Sequence, residues 1–111
     1  MKDARAAIRY AKAILNLAKD SKEETVVNDD MLFIANTISE NDEFEVMLRS
    51  PIVKSSDKIK VLNALFNTKV NNITLGLFHL LRDNKRIAML YAIAKQYAII
   101  YDFDRHMQVA K

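Results

Sequence analysis

The side chains with acid–base or metal-binding chemistry do not form a recognisable site in this sequence. His79 and His106 are far apart in the chain, and neither has a second histidine or a cysteine one helical turn away. The aspartates of Asp29–Asp30 and Asp102–Asp104 fall near a predicted helix start and in a predicted tail, where carboxylates are usually solvated. One glycine and no cysteine exclude glycine-rich phosphate loops and thiol chemistry. We therefore predict no catalytic residue, no metal site and no cofactor.

Length and composition favour one small helical domain. The chain has 111 residues, of which 50% are hydrophobic and 28% charged, with a single glycine and a single proline. Because sheets need turns, and turns are rich in these two residues, their scarcity predicts an all-α fold. The net charge of +3 comes from 17 basic and 14 acidic residues that are interleaved along the chain. This mixed surface argues against a protein dedicated to nucleic-acid binding.

Nothing in the sequence indicates a membrane-inserted or secreted protein. It contains no uncharged apolar run of about 18 residues, so we predict no membrane-spanning helix and no direct membrane insertion. Its start, Met-Lys-Asp-Ala-Arg, lacks the apolar stretch of a secretory signal. The absence of cysteine fits a reducing compartment. We expect a cytosolic protein, or one that is soluble at the cytosolic side of a membrane.

Apolar residues spaced three and four apart predict six helices that form a compact bundle. The first runs from about Asp3 to Asp20, the second from the Ser21–Glu24 segment to about Ser39, the third from Glu43 to Arg49, the fourth from Ser55–Asp57 through Phe66, the fifth from Asn71–Asn72 to about Asp83, and the sixth from near Arg86 past Tyr97. Ser21–Glu24 has the pattern of a capping box that opens the second helix, and Ser55–Asp57 has that of a cap on the fourth. We assign residues 1–105 to the domain and residues 106–111 to a tail.

The first helix has two apolar faces, and a domain of this size can use only one for its core. The core-facing set is Ala4, Ala7, Ile8, Ala11, Ile14, Leu15 and Ala18. A second stripe, at about 130° around the helix, consists of Ala6, Tyr10, Ala13 and Leu17. Alanines with one tyrosine and one leucine suit a shallow groove that a partner helix could enter.

The fifth helix repeats this excess of apolar surface. Its predicted inward face is Val70, Ile73, Leu77, Leu80 and Leu81. Leu75, Phe78 and Arg82 are predicted to point elsewhere. Gly76 lies in the middle of the helix, where glycine costs about 1 kcal/mol relative to alanine. That cost is either simply tolerated or reflects the close approach of another backbone.

Several motifs resemble those of the delta subunit of F-type ATP synthases, whose mitochondrial version is the oligomycin-sensitivity-conferring protein. Residues 7–18, AIRYAKAILNLA, resemble the R-x-Y-A-x-A-L-x-x-x-A signature near the start of that family. Residues 48–51, LRSP, resemble its L-x-S-P element and are followed by the lysine-bearing segment 58–62. Residues 78–90 and 93–102 resemble its L-L-x-E/D-N-x-R-L-x-x-L and I-x-x-x-F/Y-x-x-L/I-x-D segments. The resemblance covers nearly the whole chain.

The resemblance implies a six-helix N-terminal domain with a non-catalytic role in proton-driven ATP synthesis. In that family this domain binds the amphipathic N-terminal helix of an alpha subunit through its first and fifth helices. A further C-terminal domain, absent from this sequence, meets the b subunit of the peripheral stalk. The two domains together hold the catalytic head still. The implied location is peripheral, on the cytoplasmic side of the bacterial inner membrane.

We predict a partner-binding groove between the first and fifth helices. Its residues are Ala6, Tyr10, Ala13 and Leu17 on one wall and Leu75, Gly76, Phe78 and Arg82 on the other. Two alternatives stay open. One is an RNA-binding helical bundle of the transcription-antitermination type, since Arg5, Arg9 and Lys12 share a face. The other is a generic helical adaptor that uses the same groove for a different partner.

Overall fold

Six α-helices and one 3₁₀ turn make up the fold of residues 2–109, which the computed structural model describes. The helices are α1 (Lys2–Asp20), α2 (Glu24–Ser39), α3 (Asp42–Arg49), α4 (Ser55–Phe66), α5 (Asn72–Asp83) and α6 (Leu90–Val109), with the 3₁₀ turn at Ile87–Met89. The predicted all-α, six-helix fold is confirmed. Its sixth helix begins after the 3₁₀ turn and continues to Val109, so α6 runs past the predicted domain boundary at residue 105. Residues 110 and 111 of the predicted tail lie outside the described residues.

Helix α6 packs along α1 and α2 and joins the two ends of the chain. The predicted core residues of α1 that are buried are Ala7, Ala11, Ile14, Leu15 and Ala18. At the far ends of the two helices, Lys19 Nζ donates to Asp104 Oδ1 over 3.1 Å. Tyr97 of α6 is fully buried, and its hydroxyl donates to the carbonyl oxygen of Glu24 at 2.9 Å. These contacts bring the C-terminal ends of α1 and α6 to the start of α2.

An aromatic cluster around Phe66 joins four of the helices. The Phe66 ring lies 5.3 Å from Phe33 of α2, 6.5 Å from Phe44 of α3 and 5.9 Å from Phe78 of α5, measured between ring centroids. Such edge-on and tilted ring pairs add a stabilising contribution to the apolar area that they bury. Because Phe66 is the last residue of α4, the cluster fixes that helix against the rest of the bundle.

Two helices are followed by a lysine at the left-handed position where glycine is usual. Lys22 and Lys85 both have φ of 59°. After each, a backbone N–H bonds back to a carbonyl five residues earlier: Glu23 N to Ala18 O, and Arg86 N to Leu81 O, both at 2.8 Å. This is the Schellman arrangement, which normally favours glycine at the left-handed position. The fold therefore makes its turns with very little glycine.

Two predicted helix caps are wrong. Ser21 does not cap α2, because its Oγ donates back to the carbonyl oxygens of Leu17 and Ala18 at the end of α1. The residue before α4 is Lys54, which makes no side-chain cap bond, and Ser55 already belongs to the helix. In contrast, Asn71 does open α5, since its Oδ1 accepts the backbone N–H of Ile73 at 2.8 Å.

We expect the domain to lose stability in alkali because of Tyr97. Burial raises the pKa of this phenol above its ordinary value of 10.0, and Glu24, Tyr101 and Asp30 raise it further. The folded chain therefore holds the phenolic proton more tightly than the unfolded chain. The associated stability is present below about pH 10 and is lost above it, by up to about 1.4 kcal/mol per pH unit. Urea unfolding of the wild type and Tyr97→Phe between about pH 9 and pH 11 tests this; equal pH slopes would contradict it.

None of the helices within residues 2–109 is both long enough and apolar enough to cross a lipid bilayer.

Candidate protein-docking groove

An open groove of about 610 Å³ lies between α1 and the end of α5. Its lining residues are Ala6, Arg9, Tyr10 and Ala13 of α1, together with Leu80, Asn84 and Arg86. Asn84 Nδ2 donates to the Tyr10 hydroxyl over 2.8 Å and connects the two walls. The floor is thus a half-buried tyrosine held in place by hydrogen bonding, with small alanines on one side and a leucine on the other.

The α1 wall contains three of the four residues of the predicted second stripe, together with Arg9; Leu17 is not among the lining residues. Ala6 and Tyr10 are half-buried, and both pack against the core from its edge. Ala13 is exposed, and Leu17, one turn further along the same face, is 53% exposed. The stripe therefore lies outside the core, as its periodicity predicts. The binding of a partner helix to this stripe stays a prediction.

The α5 wall differs from the predicted one. Phe78 is fully buried, so the prediction that it points away from the core is wrong. Leu80, predicted to face inward, is 42% exposed and lines the groove instead. Leu75 is half-buried against the core, and Arg82 is half-buried with its guanidinium 3.0 Å from Asp83. Neither Leu75 nor Arg82 is among the lining residues.

A buried carboxylate determines which face of α5 turns inward. Asp30 Oδ2 accepts the Thr74 hydroxyl at 2.8 Å and the backbone N–H of Asn71 at 2.7 Å. Thr74 is fully buried and Asp30 nearly so, which corrects the prediction of a solvated carboxylate for Asp30, while Asp29 is exposed as predicted. Phe78 lies one helical turn after Thr74 and therefore on the same face of α5. The Thr74–Asp30 bond, which turns that face inward, thus also places Phe78 in the core. The carboxylate also lies at the N-terminus of α5, where the helix dipole favours negative charge.

The start of α5 is also tied to the junction between α1 and α2. Asn71 Nδ2 donates to Glu23 Oε2 over 2.6 Å, and Glu23 immediately precedes α2. At its other end, α5 reaches Tyr10, near the middle of α1, through Asn84. The two helices therefore run antiparallel, and Leu80 and Ala13 line the same groove between them. This network was missed because it joins residues that are distant in sequence.

Replacing Gly76 with alanine is expected to stabilise the domain. A Cβ added at Gly76 meets no atom within 4 Å among the described residues, and the backbone is ordinary helix. Alanine is favoured over glycine inside a helix by about 1 kcal/mol, so we expect a gain of about 0.5–1 kcal/mol. Urea unfolding measures it. A loss of stability would show that the helix needs glycine at this point for its own packing.

Comparison with known proteins finds one family along almost the entire chain. The family model described as ATP synthase delta (OSCP) subunit matches residues 6–111. ATP synthase subunit delta of Flavobacterium psychrophilum is 41% identical over 111 residues, all of this chain and 62% of that protein. The same subunit of Flavobacterium johnsoniae is 43% identical over 111 residues, again 62% of its length. That of Christiangramia forsetii is 43% identical over 102 residues, 92% of this chain and 55% of that protein. The chain thus spans a little over half the length of these relatives.

Proposed function

This chain belongs to the ATP synthase delta (OSCP) subunit family, and we propose that it is a non-catalytic stator domain that binds an alpha subunit of the catalytic head. Its ligand is the amphipathic N-terminal helix of that subunit, held between α1 and α5. The role is mechanical: the bound domain helps to keep the head still while the central rotor turns. In this way it supports proton-driven ATP synthesis without chemistry of its own.

The observation that carries the proposal is the open groove bounded by α1 and α5. Leu80 of α5 lines it, and Leu17 continues the exposed face of α1 one helical turn beyond Ala13, so both helices carry apolar side chains that their own core does not use. Ala6 and Ala13 keep one wall low, so that a helix backbone can come close. Tyr10 supplies a large, half-buried ring that its bond to Asn84 holds in place. Helix-in-groove recognition uses such an apolar trough, with anchors spaced three and four residues apart on the incoming helix.

A stator joint must also resist torque, so the complex has to dissociate slowly. A nanomolar dissociation constant corresponds to about 12 kcal/mol of binding free energy. An interface of about 800 Å² on each partner is sufficient for that affinity when its central contacts are well packed. The groove and the exposed stripe that continues to Leu17 offer one helix a contact over several turns of α1.

The wider assembly belongs to the proposal as well. Relatives of this chain are longer, and we propose that the part beyond the matched segment contacts the b subunit of the peripheral stalk. The domain would then lie peripherally on the cytoplasmic side of the bacterial inner membrane. The RNA-binding alternative has no support from the comparisons. A generic adaptor differs from the proposed role only in its partner.

Calorimetric titration with a synthetic peptide tests the proposal. The peptide copies about the first two dozen residues of the alpha subunit from the same organism. We expect one-to-one binding with a dissociation constant from nanomolar to about 1 μM, and little loss of affinity in salt, because the contact is mainly apolar. Absence of binding would refute the proposal. Salt-sensitive binding to RNA, without binding to the peptide, would favour the RNA-binding alternative.

A further inference from the structure

We infer that the groove is electrostatically polarised and selects a helix that carries carboxylates at the end facing Arg9 and Arg86. The inference rests on the proposed function, because it assigns charge and orientation to the helix proposed to lie there. Among the described lining residues, two carry a charge, and these are Arg9 and Arg86. Arg9 comes from α1 and Arg86 from the segment after α5, so the two cations approach the groove from opposite walls.

The backbone that carries Arg86 is well fixed. Its N–H donates to Leu81 O at 2.8 Å, as part of the turn that ends α5. Its Nη1 donates to the sulfur of Met89 at 3.7 Å, a weak and uncharged acceptor. The guanidinium charge is not neutralised by that contact, and most of its donors remain for a ligand. Arg82, in contrast, already pairs with Asp83 at 3.0 Å.

The opposite end of the groove has a different character. Leu17 is not among the lining residues, but it lies on the same face of α1 as Ala13, one helical turn further from Arg9. Leu17 is exposed and apolar, and Asp20, also exposed, follows one helical turn later. Along this exposed face of α1, the side chains therefore pass from basic Arg9, through Ala13 and Leu17, to acidic Asp20. An amphipathic helix with carboxylates at one end fits this pattern in one direction and is opposed by it in the other.

The arginines should determine orientation and register more than total affinity. Guanidinium groups bind carboxylates through two parallel hydrogen bonds, which fixes geometry as well as charge. Pairs at the rim of an interface stay partly solvated, so each contributes little to affinity, while a wrongly placed like charge is penalised. We expect about a twofold effect on affinity for each arginine at low ionic strength.

The test uses the alpha-subunit peptide with its apolar residues kept. In a neutral version every charged residue is replaced by glutamine. Two further versions carry glutamates only in the first half or only in the second half. We expect the wild-type protein to bind one charged version about tenfold more tightly than the other at low salt, with the neutral version between them. The difference should shrink in about 0.5 M salt, where the Debye length falls to about 4 Å.

Charge reversal identifies the side chains responsible. In the variant Arg9→Glu/Arg86→Glu, the preference between the two charged peptides, each measured relative to the neutral peptide on the same variant, should disappear or invert. The matched control is Lys12→Glu/Lys95→Glu, which makes the same change of net charge at exposed residues that do not line the groove. The control should keep the tenfold preference.

The outcomes separate this inference from the proposed function. Equal binding of both charged peptides to the wild-type protein would overturn the inference and leave the proposed function standing. The inference also fails if the control loses the preference, or if charge reversal weakens the neutral peptide as much as the favoured one. If neither the native peptide nor any of its versions binds, both proposals are overturned together.

Discussion

Ala13→Asp is expected to abolish binding of the alpha-subunit peptide and to leave the domain folded. Ala13 is exposed on α1 and lines the groove beside Tyr10. A bound helix would bury the new carboxylate against apolar side chains at a cost of several kcal/mol, which pairing with Arg9, one helical turn earlier, offsets only in part. We expect the dissociation constant to rise at least about 100-fold, which corresponds to about 2.7 kcal/mol. Calorimetry measures the binding, and urea unfolding measures the fold.

The matched control for this prediction is Asn16→Asp. Asn16 is also exposed on α1, and the substitution adds the same single negative charge away from the groove. It should leave the affinity within about twofold. In both variants we expect the free energy of unfolding to fall by less than about 1 kcal/mol, the scale of helix propensity differences. If Ala13→Asp unfolds the protein, the second stripe belongs to the core; if it binds normally, the helix lies elsewhere.

The orientation of α1 could be predicted because its two apolar stripes are unequal. The stripe that contains Ile14 and Leu15 is longer and richer in large residues, so burying it gains more free energy than burying the alanine-rich one. The structure buries the former from Ala11 onward, with Ala4 exposed and Ile8 half-buried near its start, and leaves Ala13 and Leu17 outside. One wall of the groove therefore followed from local periodicity alone.

The orientation of α5 could not be predicted in this way, because its two apolar faces have similar strength. Leu77 and Leu81 are buried with either choice, while Phe78 and Leu80 compete for the remaining inward position. Asp30 decides between them, through its bond to Thr74 across 44 residues of sequence. A residue pattern within one helix does not contain that information. A pair formed by a buried acid and a helix-start asparagine is visible only after folding.

Helix ends were missed for a different reason. A serine followed three residues later by an acid satisfies the sequence pattern of a capping box at residues 21–24. The backbone bonds there close the end of α1 first, with Lys22 in the left-handed region. Lysine carries a steric cost in that conformation and is not a usual signal for it. The tertiary position of α2 overrides the local preference.

Phe78→Ala is expected to destabilise the domain strongly and to leave the peptide-binding surface in place. The side chain is fully buried, and its ring lies 5.9 Å from that of Phe66 in the aromatic cluster. Removing a buried phenylalanine leaves a cavity and typically costs about 3–5 kcal/mol. A domain of this size has total stability of about 5–15 kcal/mol, so the unfolding midpoint in urea should fall sharply.

Leu80→Ala is the matched control, because it shortens an apolar side chain two residues away on the same helix. Leu80 is 42% exposed and lines the groove, so its loss should cost the fold only about 1 kcal/mol. Under the proposed function it should weaken the peptide about tenfold, whereas the folded fraction of Phe78→Ala should bind within about threefold of wild type. The two variants are thus expected to separate stability from binding. The reverse result would mean that α5 presents Phe78 to the partner and that Asp30 does not fix its rotation.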